Sequence, residues 1–295
     1  MPLAAAREPA IGFWDWSFDM PIVLVAAAAV MYWAGSKRTA MSERDAGIRR
    51  WRTASFAAGL VVIVIALDSP IDLLAERLFW VHMVQHVLLL TVAPPLILLG
   101  RPWSRMWRSL PLGVRRDVGR GLMVGSFGIT LRRAARSVGA PLPSFILFSG
   151  VLLAWHVPPL FDATLRSAPL HILEHELFFC TALLFWKQVI SSPPLRARLN
   201  PIQRIAYLTA AMVVGWILAI VLAVAPNPLY APYAHELGRP GGISALSDQQ
   251  LAAGIMWVPG SIAFVIALLV YVNRWLAPST PVRASATAVG VGSGH

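Results

Sequence analysis

Two pairs of histidines carry most of the chemistry that this sequence could perform. His82 and His86 are four residues apart, and His171 and His175 repeat that spacing. Residues four apart on a helix share one face, with Cβ atoms about 5–6 Å apart. Imidazole is a ligand that suits copper, zinc, iron and nickel. The spacing therefore predicts that the two pairs converge on a single metal ion.

Several other side chains are candidates for the same site. His156 ends the fourth apolar segment and is a fifth candidate ligand. Carboxylates often orient a ligating imidazole through its second ring nitrogen, and we expect Glu174 and Asp248 to play this role. The remaining auxiliary candidates, chosen for their amide or thioether groups, are Gln85, Met83 and Met256.

The same residues allow three other interpretations. His171, Glu174 and His175 match the H-x-x-E-H pattern of inverted zinc proteases, which also requires a distant third ligand and a water-filled cleft. We therefore expect no enzymatic activity, with a membrane metalloprotease as the alternative. Histidines on two helices could instead ligate a haem axially, as in b-type membrane redox proteins. A copper permease could use the same cluster.

The composition requires that these residues be positioned inside a membrane. Of the 295 residues, 57% are hydrophobic and 13% are charged, and the mean hydropathy is +0.64. Soluble domains carry about a quarter charged residues, so a soluble enzyme is excluded. The only cysteine, Cys180, cannot form an internal disulfide, which excludes a disulfide-stapled secreted scaffold.

Seven apolar segments are the candidates for membrane-spanning helices. A bilayer core about 30 Å thick needs roughly 20 apolar residues in a helix. The sequence therefore predicts an all-α, polytopic membrane protein with seven transmembrane helices. The predicted spans are approximately 20–33, 53–67, 78–99, 144–157, 170–189, 204–224 and 250–272.

The charge distribution predicts the orientation of these spans. With the N-terminus outside and the C-terminus inside, the inner segments and adjoining helix ends hold 21 of the 25 Lys and Arg residues but only three of the 14 acidic residues. This is the asymmetry that the positive-inside rule describes. The net charge of +11 is then +18 inside and −7 outside, so we expect no nucleic-acid partner. Six of the seven histidines fall in the outer half.

The predicted domain organisation is a single seven-helix bundle over residues 1–276, followed by a disordered cytoplasmic tail over residues 277–295 that is rich in Pro, Ser, Ala and Gly. The inner loop 100–143 is basic and amphipathic, with nine arginines between residues 101 and 136. Such a segment is suited to lie on anionic membrane lipid. Docking of a partner on the inner face is the alternative.

Short stretches distributed along most of the chain resemble one family. The stretch HMVQH at residues 82–86, followed by APPL at residues 93–96, is similar to the signature of the CtaG family, the multi-spanning assembly factors of the caa-type haem–copper cytochrome c oxidase. Further similar stretches are WH at 155–156, LH at 170–171, EH at 174–175, FW at 185–186, DQQ at 248–250 and MW at 256–257.

This resemblance implies a role in the biogenesis of the respiratory chain. A protein of this family is expected in the bacterial inner (plasma) membrane as a multi-pass protein, with cytochrome c oxidase subunits as its partners. The implied function is to bind copper at the outer-leaflet histidine cluster and deliver it to the oxidase. The residues themselves leave zinc and haem open as alternatives to a copper ion.

Overall fold

The computed structural model describes residue 16 and residues 20–39, 46–236 and 239–277. Within these ranges the chain forms helices and no β-strand. The first half contains α1 (Met20–Thr39), α2 (Ala46–Leu67), α3 (Pro70–Ala75), α4 (Phe79–Val87), a π-helical segment (Leu88–Val92), α5 (Ala93–Leu99), α6 (Pro102–Ser109), α7 (Leu112–Val124) and α8 (Ser126–Val138). The second half contains α9 (Pro141–Trp155), α10 (Pro158–Thr164), α11 (Ala168–Trp186), α12 (Pro201–Val224), α13 (Ala231–Ala234), a 3-10 turn (Pro240–Gly242) and α14 (Ala245–Leu276).

Six helical segments in the described ranges are long and apolar enough to cross a membrane, which confirms a multi-pass, all-α protein. The fourth predicted span corresponds to α9, which has only 15 residues. It reaches the required length together with α8, and the two helices meet at a bend of 70°. The described residues therefore contain six such spans, or seven if this bent pair counts as one. The orientation of the termini remains a prediction, and the predicted disordered tail lies outside the described residues from position 278 onward.

The third span is not one regular helix, because a pair of prolines interrupts it. In a regular helix the carbonyl of Leu90 would accept a hydrogen bond from the backbone nitrogen of residue 94, but Pro94 and Pro95 have no N–H group. The chain passes through the π-helical segment at this point. The indole Nε1 of Trp186 on α11 donates to the Leu90 carbonyl instead, at 2.9 Å. Inside a bilayer an unpaired carbonyl would be costly, so this bond ties the break to α11.

Small residues let the helices approach closely on the side of α1 and α2. A Cβ added to Gly59 of α2 would lie 2.7 Å from Cγ1 of Ile97 on α5, and one added to Gly35 of α1 would overlap the backbone of Arg105 on α6. Close packing over small residues is typical of membrane helices, where apolar burial drives little association. The larger core lies between α9, α11, α12 and α14, where the rings of Phe148 and Phe185 stack at 4.4 Å.

The basic loop predicted over residues 100–143 contains the three helices α6, α7 and α8. Arg105 of α6 is buried and donates hydrogen bonds to the side chains of Tyr32 and Thr53. In contrast, Leu112 on α7 and Phe127 on α8 are 75% and 80% exposed. Exposed apolar side chains beside arginines are consistent with the predicted contact with lipid, which stays a prediction.

Candidate metal centre

Four side chains from two helices form a buried cluster at one end of the bundle. His82 and His86 come from α4, and Glu174 and His175 come from α11. Each offers one ligand atom, and these four atoms all lie within 4.8 Å of one another. The helices α4 and α11 are therefore neighbours, as the convergence of the histidine pairs requires.

The Glu174 carboxylate lies between the two imidazoles of α4. Its Oε2 atom is 3.8 Å from Nε2 of His82, and its Oε1 atom is 3.6 Å from Nε2 of His86. The ring of His175 is 5.9 Å from that of His82 and 5.6 Å from that of His86, measured between centroids. Phe161 and Phe178 pack against the imidazoles of His82 and His86. The aromatic rings of Phe161 and Phe178 thus cover part of the cluster.

The atoms that face one another in this cluster have no hydrogen-bond partner among the described residues. They are the Nε2 atoms of His82, His86 and His175 and both carboxylate oxygens of Glu174. Glu174 and His82 have no solvent exposure. Buried polar groups are normally hydrogen-bonded, and buried charges are paired or coordinate metals. One cation at the centre of this cluster would satisfy all of these atoms, so the residues fit a metal ion.

A tyrosine that the sequence did not single out fixes the proton on His82. The hydroxyl of Tyr233 donates to the carbonyl of Ala75 at 2.5 Å and lies 2.9 Å from Nδ1 of His82. Because a hydroxyl has one proton, which the carbonyl takes, Nδ1 of His82 must be the donor in the second bond. The lone pair of a neutral His82 therefore lies on Nε2, which points into the cluster. This is the arrangement expected around a metal-ligating histidine.

The remaining predicted ligands lie next to this set rather than within it. The ring of His171 is 4.3 Å from that of His175 and 5.1 Å from that of His82, but His171 is not among the four residues with mutually close ligand atoms. His156 ends α9, and its ring is 5.8 Å from that of His86. Nε2 of His156 lies 3.4 Å from Sδ of Met83.

Two auxiliary candidates have contacts that differ from the expected ones. Asp248 accepts hydrogen bonds from the backbone N–H groups of Phe79 and Trp80, and Arg239 lies 3.4 Å away. It caps the first turn of the helix that carries His82 and His86, instead of orienting an imidazole. Gln85 donates to the carbonyl of Ala66 and the carboxylate of Asp72, away from the cluster.

Met256 lines a small cavity of about 60 Å³ together with His86 and His156. A cavity of this volume exceeds the 10–15 Å³ that one water molecule needs. Met256, on α14, therefore shares a cavity with one member of the four-residue cluster, His86.

A second, larger cavity reaches the cluster from the side of α1 and α2. It has a volume of about 670 Å³, and its lining is apolar except near His171, His175, Glu176 and Asp72. Small-molecule sites have volumes of about 300–1,000 Å³. His171 and His175 form part of its lining, so the cavity lies directly against one residue of the four-residue cluster.

The fold and the site define a multi-pass membrane protein with a buried cluster of three imidazoles and one carboxylate. The family model of the cytochrome c oxidase caa3 assembly factors matches residues 20–277, so the chain belongs to this family. The match confirms the resemblance to the CtaG family that the sequence indicated.

Two mycobacterial proteins that are similar to this chain carry names that say only that they are uncharacterised. A protein of Mycobacterium leprae is 26% identical over 270 residues, which cover 89% of this chain and 40% of that protein. A protein of Mycobacterium bovis is 26% identical over 267 residues, covering 88% of this chain and 39% of that protein. The chain thus spans about two fifths of the length of these relatives. No solved structure matches the chain at a significant level.

Proposed function

We propose that this chain holds a copper ion at the cluster of His82, His86, Glu174 and His175 and delivers it during the assembly of a caa-type cytochrome c oxidase. The observation that carries the proposal is the set of four buried, unpartnered ligand atoms within 4.8 Å of one another. Membership of the assembly-factor family supports the biological role.

The donor set favours copper over the other metals. Imidazole suits copper, zinc, iron and nickel, and for a given set of N and O ligands Cu²⁺ binds more tightly than the other first-row divalent ions. The single carboxylate supplies one negative charge, which offsets part of the charge of the ion in a low-dielectric site. Zinc and haem differ from copper in metal analysis and in the visible spectrum, where a haem gives a Soret band.

Delivery would take place on the outer side of the bacterial plasma membrane. The acidic outer segments and the basic inner segments support this orientation. The lateral cavity next to His171 and His175 would let a membrane-embedded oxidase subunit approach the ion without an aqueous carrier. The partner would then be a subunit of the oxidase within the same membrane.

The direct functional test is the copper content of the oxidase in cells that carry only a variant of this chain. We expect an oxidase deficient in copper when His82→Ala or Glu174→Gln replaces the wild-type chain at equal abundance. His235→Ala is the matched control, because His235 is an exposed histidine outside the cluster. A fully copper-loaded oxidase in the His82→Ala cells would overturn the proposal.

A further inference from the structure

Beside the four-residue cluster, a nitrogen and a sulfur atom face each other in an arrangement that hydrogen bonding does not explain. Nε2 of His156 lies 3.4 Å from Sδ of Met83. Both residues are buried, with 5% and 0% of their surface exposed. The second ring nitrogen of His156, Nδ1, lies 2.7 Å from the carbonyl oxygen of Leu152.

The Leu152 carbonyl fixes which nitrogen of His156 carries the proton. A carbonyl oxygen can only accept, so Nδ1 must be protonated to make a contact as short as 2.7 Å. A buried imidazole with no acidic partner stays neutral, and a neutral imidazole carries one proton. Nε2 therefore presents a lone pair to the thioether of Met83, and neither atom donates to the other.

A lone pair on nitrogen and a thioether sulfur at this separation are what a soft metal ion requires. Thioether ligands select Cu(I) among the first-row ions, and imidazole is compatible with it. Metal–nitrogen and metal–sulfur bonds of about 2.0 and 2.3 Å can bridge atoms 3.4 Å apart. The cavity of about 60 Å³ next to His156 also exposes Met256, a second thioether, on its wall.

We propose that Met83 and His156 form a second metal site that is selective for Cu(I), with Met256 beside it. The first cluster offers imidazoles and a carboxylate, whereas this pair offers imidazole and thioether. His86 connects the two, because its Nε2 faces Glu174 in the first cluster and its ring lies 5.8 Å from that of His156. The protein would therefore hold a divalent ion and a monovalent ion at neighbouring positions. This inference rests on the proposed function and extends it. If the second site is wrong, the proposed function of the first cluster still stands.

The two sites are tested with one metal probe each on purified protein. Ag⁺ serves as a redox-inert probe for the Cu(I) site, and Co²⁺ serves as a coloured divalent probe for the first cluster. Because the exposed thiol of Cys180 would itself bind Ag⁺, the protein carries Cys180→Ser in this experiment, and we expect it to bind one equivalent of Ag⁺. Met83→Leu, which conserves volume, should lower the Ag⁺ affinity by at least about tenfold, the lower limit for losing groups that support a metal site.

The controls separate this inference from the proposed function. Met83→Leu should leave Co²⁺ binding within about twofold of wild type, whereas Glu174→Gln should weaken Co²⁺ binding and leave Ag⁺ bound. Met31→Leu is the matched methionine control, since Met31 lies on α1 and lines neither of the two cavities. Cys180→Ser protein that binds Co²⁺ but not Ag⁺ would overturn the second site alone. Protein that binds neither ion would overturn both sites.

A measurement without substitution covers the case in which Met83→Leu does not fold. Protein labelled with selenomethionine and loaded with Cu(I) should show a copper–selenium distance in X-ray absorption. A spectrum with nitrogen and oxygen neighbours only would contradict the assignment of Met83. A selenium signal that persists in Met83→Leu, with undiminished intensity, would also contradict it.

Discussion

Glu174 is a carboxylate with no solvent exposure between two imidazoles. Its charge is costly to bury unless a cation accompanies it. The sequence predicted Glu174 as a group that orients a ligand, whereas its oxygens face the Nε2 atoms of His82 and His86, which is the reason for proposing it as a ligand. The distinction depends on the side chain's direction across two helices, which spacing within one helix cannot supply.

Glu174→Gln should separate metal binding from folding. The amide keeps the shape of the side chain but removes the charge, so we expect the metal affinity to fall by at least about tenfold. Without metal, the variant should be as stable as the wild type or more stable, because an unpaired buried charge has been removed. Thermal unfolding with and without metal measures both effects. An unchanged stabilisation by metal would contradict a ligand role for Glu174.

Tyr233→Phe tests the group that holds the proton on Nδ1 of His82. Loss of such a supporting partner typically costs 10–100-fold in metal affinity, and we expect a decrease in this range. Tyr207→Phe is the matched control, since the buried hydroxyl of Tyr207 has no hydrogen-bond partner among the described residues. Metal titration of the two purified variants makes the comparison. Equal affinities for both would show that Tyr233 does not support the site.

Individual residues show which contacts of the candidate site could be predicted from the sequence and which could not. The i, i+4 spacing placed His82 with His86 and His171 with His175, since helix geometry alone fixes which residues share a face. That the two pairs lie on neighbouring helices could not be deduced from spacing. Tyr233 lies in the short helix α13, more than 140 positions after His82 in the sequence. Only the tertiary fold brings its side chain near that of His82. Asp248 was expected beside an imidazole for its charge, but its oxygens are taken by the backbone at the start of α4.

At the scale of elements, the third span, which contains α4, is joined to α11 by a hydrogen bond at its break. The sequence indicated one continuous span over residues 78–99, and the structure has α4, a π-helical segment and α5 there. The pair Pro94-Pro95 was visible in the sequence, but apolar length and the absence of charge could not reveal the break. The donor that compensates for it, Trp186, comes from 96 residues further along the chain.

A double-mutant cycle on Pro94 and Trp186 tests this compensation. Trp186→Phe leaves the Leu90 carbonyl unpaired, so we expect about 1–3 kcal/mol of destabilisation from that group in addition to lost packing. In a Pro94→Ala background the restored N–H can pair with that carbonyl, so the same substitution should cost less. Unfolding in detergent micelles measures each free energy. Equal costs in the two backgrounds would contradict the account of the break.

At the scale of the whole molecule, composition and charge were sufficient to predict a helical membrane bundle. Every predicted span overlaps a helix of the structure, since roughly 20 apolar residues leave few alternatives in a bilayer. The fourth span is the least regular, because α9 has 15 residues and meets α8 at 70°. The arrangement of spans around the cluster required the structure, because hydropathy carries no information on which helices are neighbours.

The orientation predicted from the charges can be tested with single cysteines. In a Cys180→Ser background, Asn227→Cys lies near the cluster end and Ser126→Cys lies at the start of α8, and both positions are exposed. We expect an impermeant thiol reagent applied to intact spheroplasts to label Asn227→Cys and not Ser126→Cys. After the membrane is permeabilised, both should be labelled. The reverse pattern in intact spheroplasts would invert the orientation and place the metal site on the inner side.

The most direct test of the central claim is the metal content of the purified protein after growth with copper, together with its visible spectrum. We expect at least one equivalent of copper in the wild type and in His235→Ala. In the His86→Ala, His175→Ala double variant, copper at the cluster should be lost while the protein remains folded. Wild-type protein without stoichiometric metal, a Soret band in place of copper, or unchanged copper in the double variant would contradict the claim.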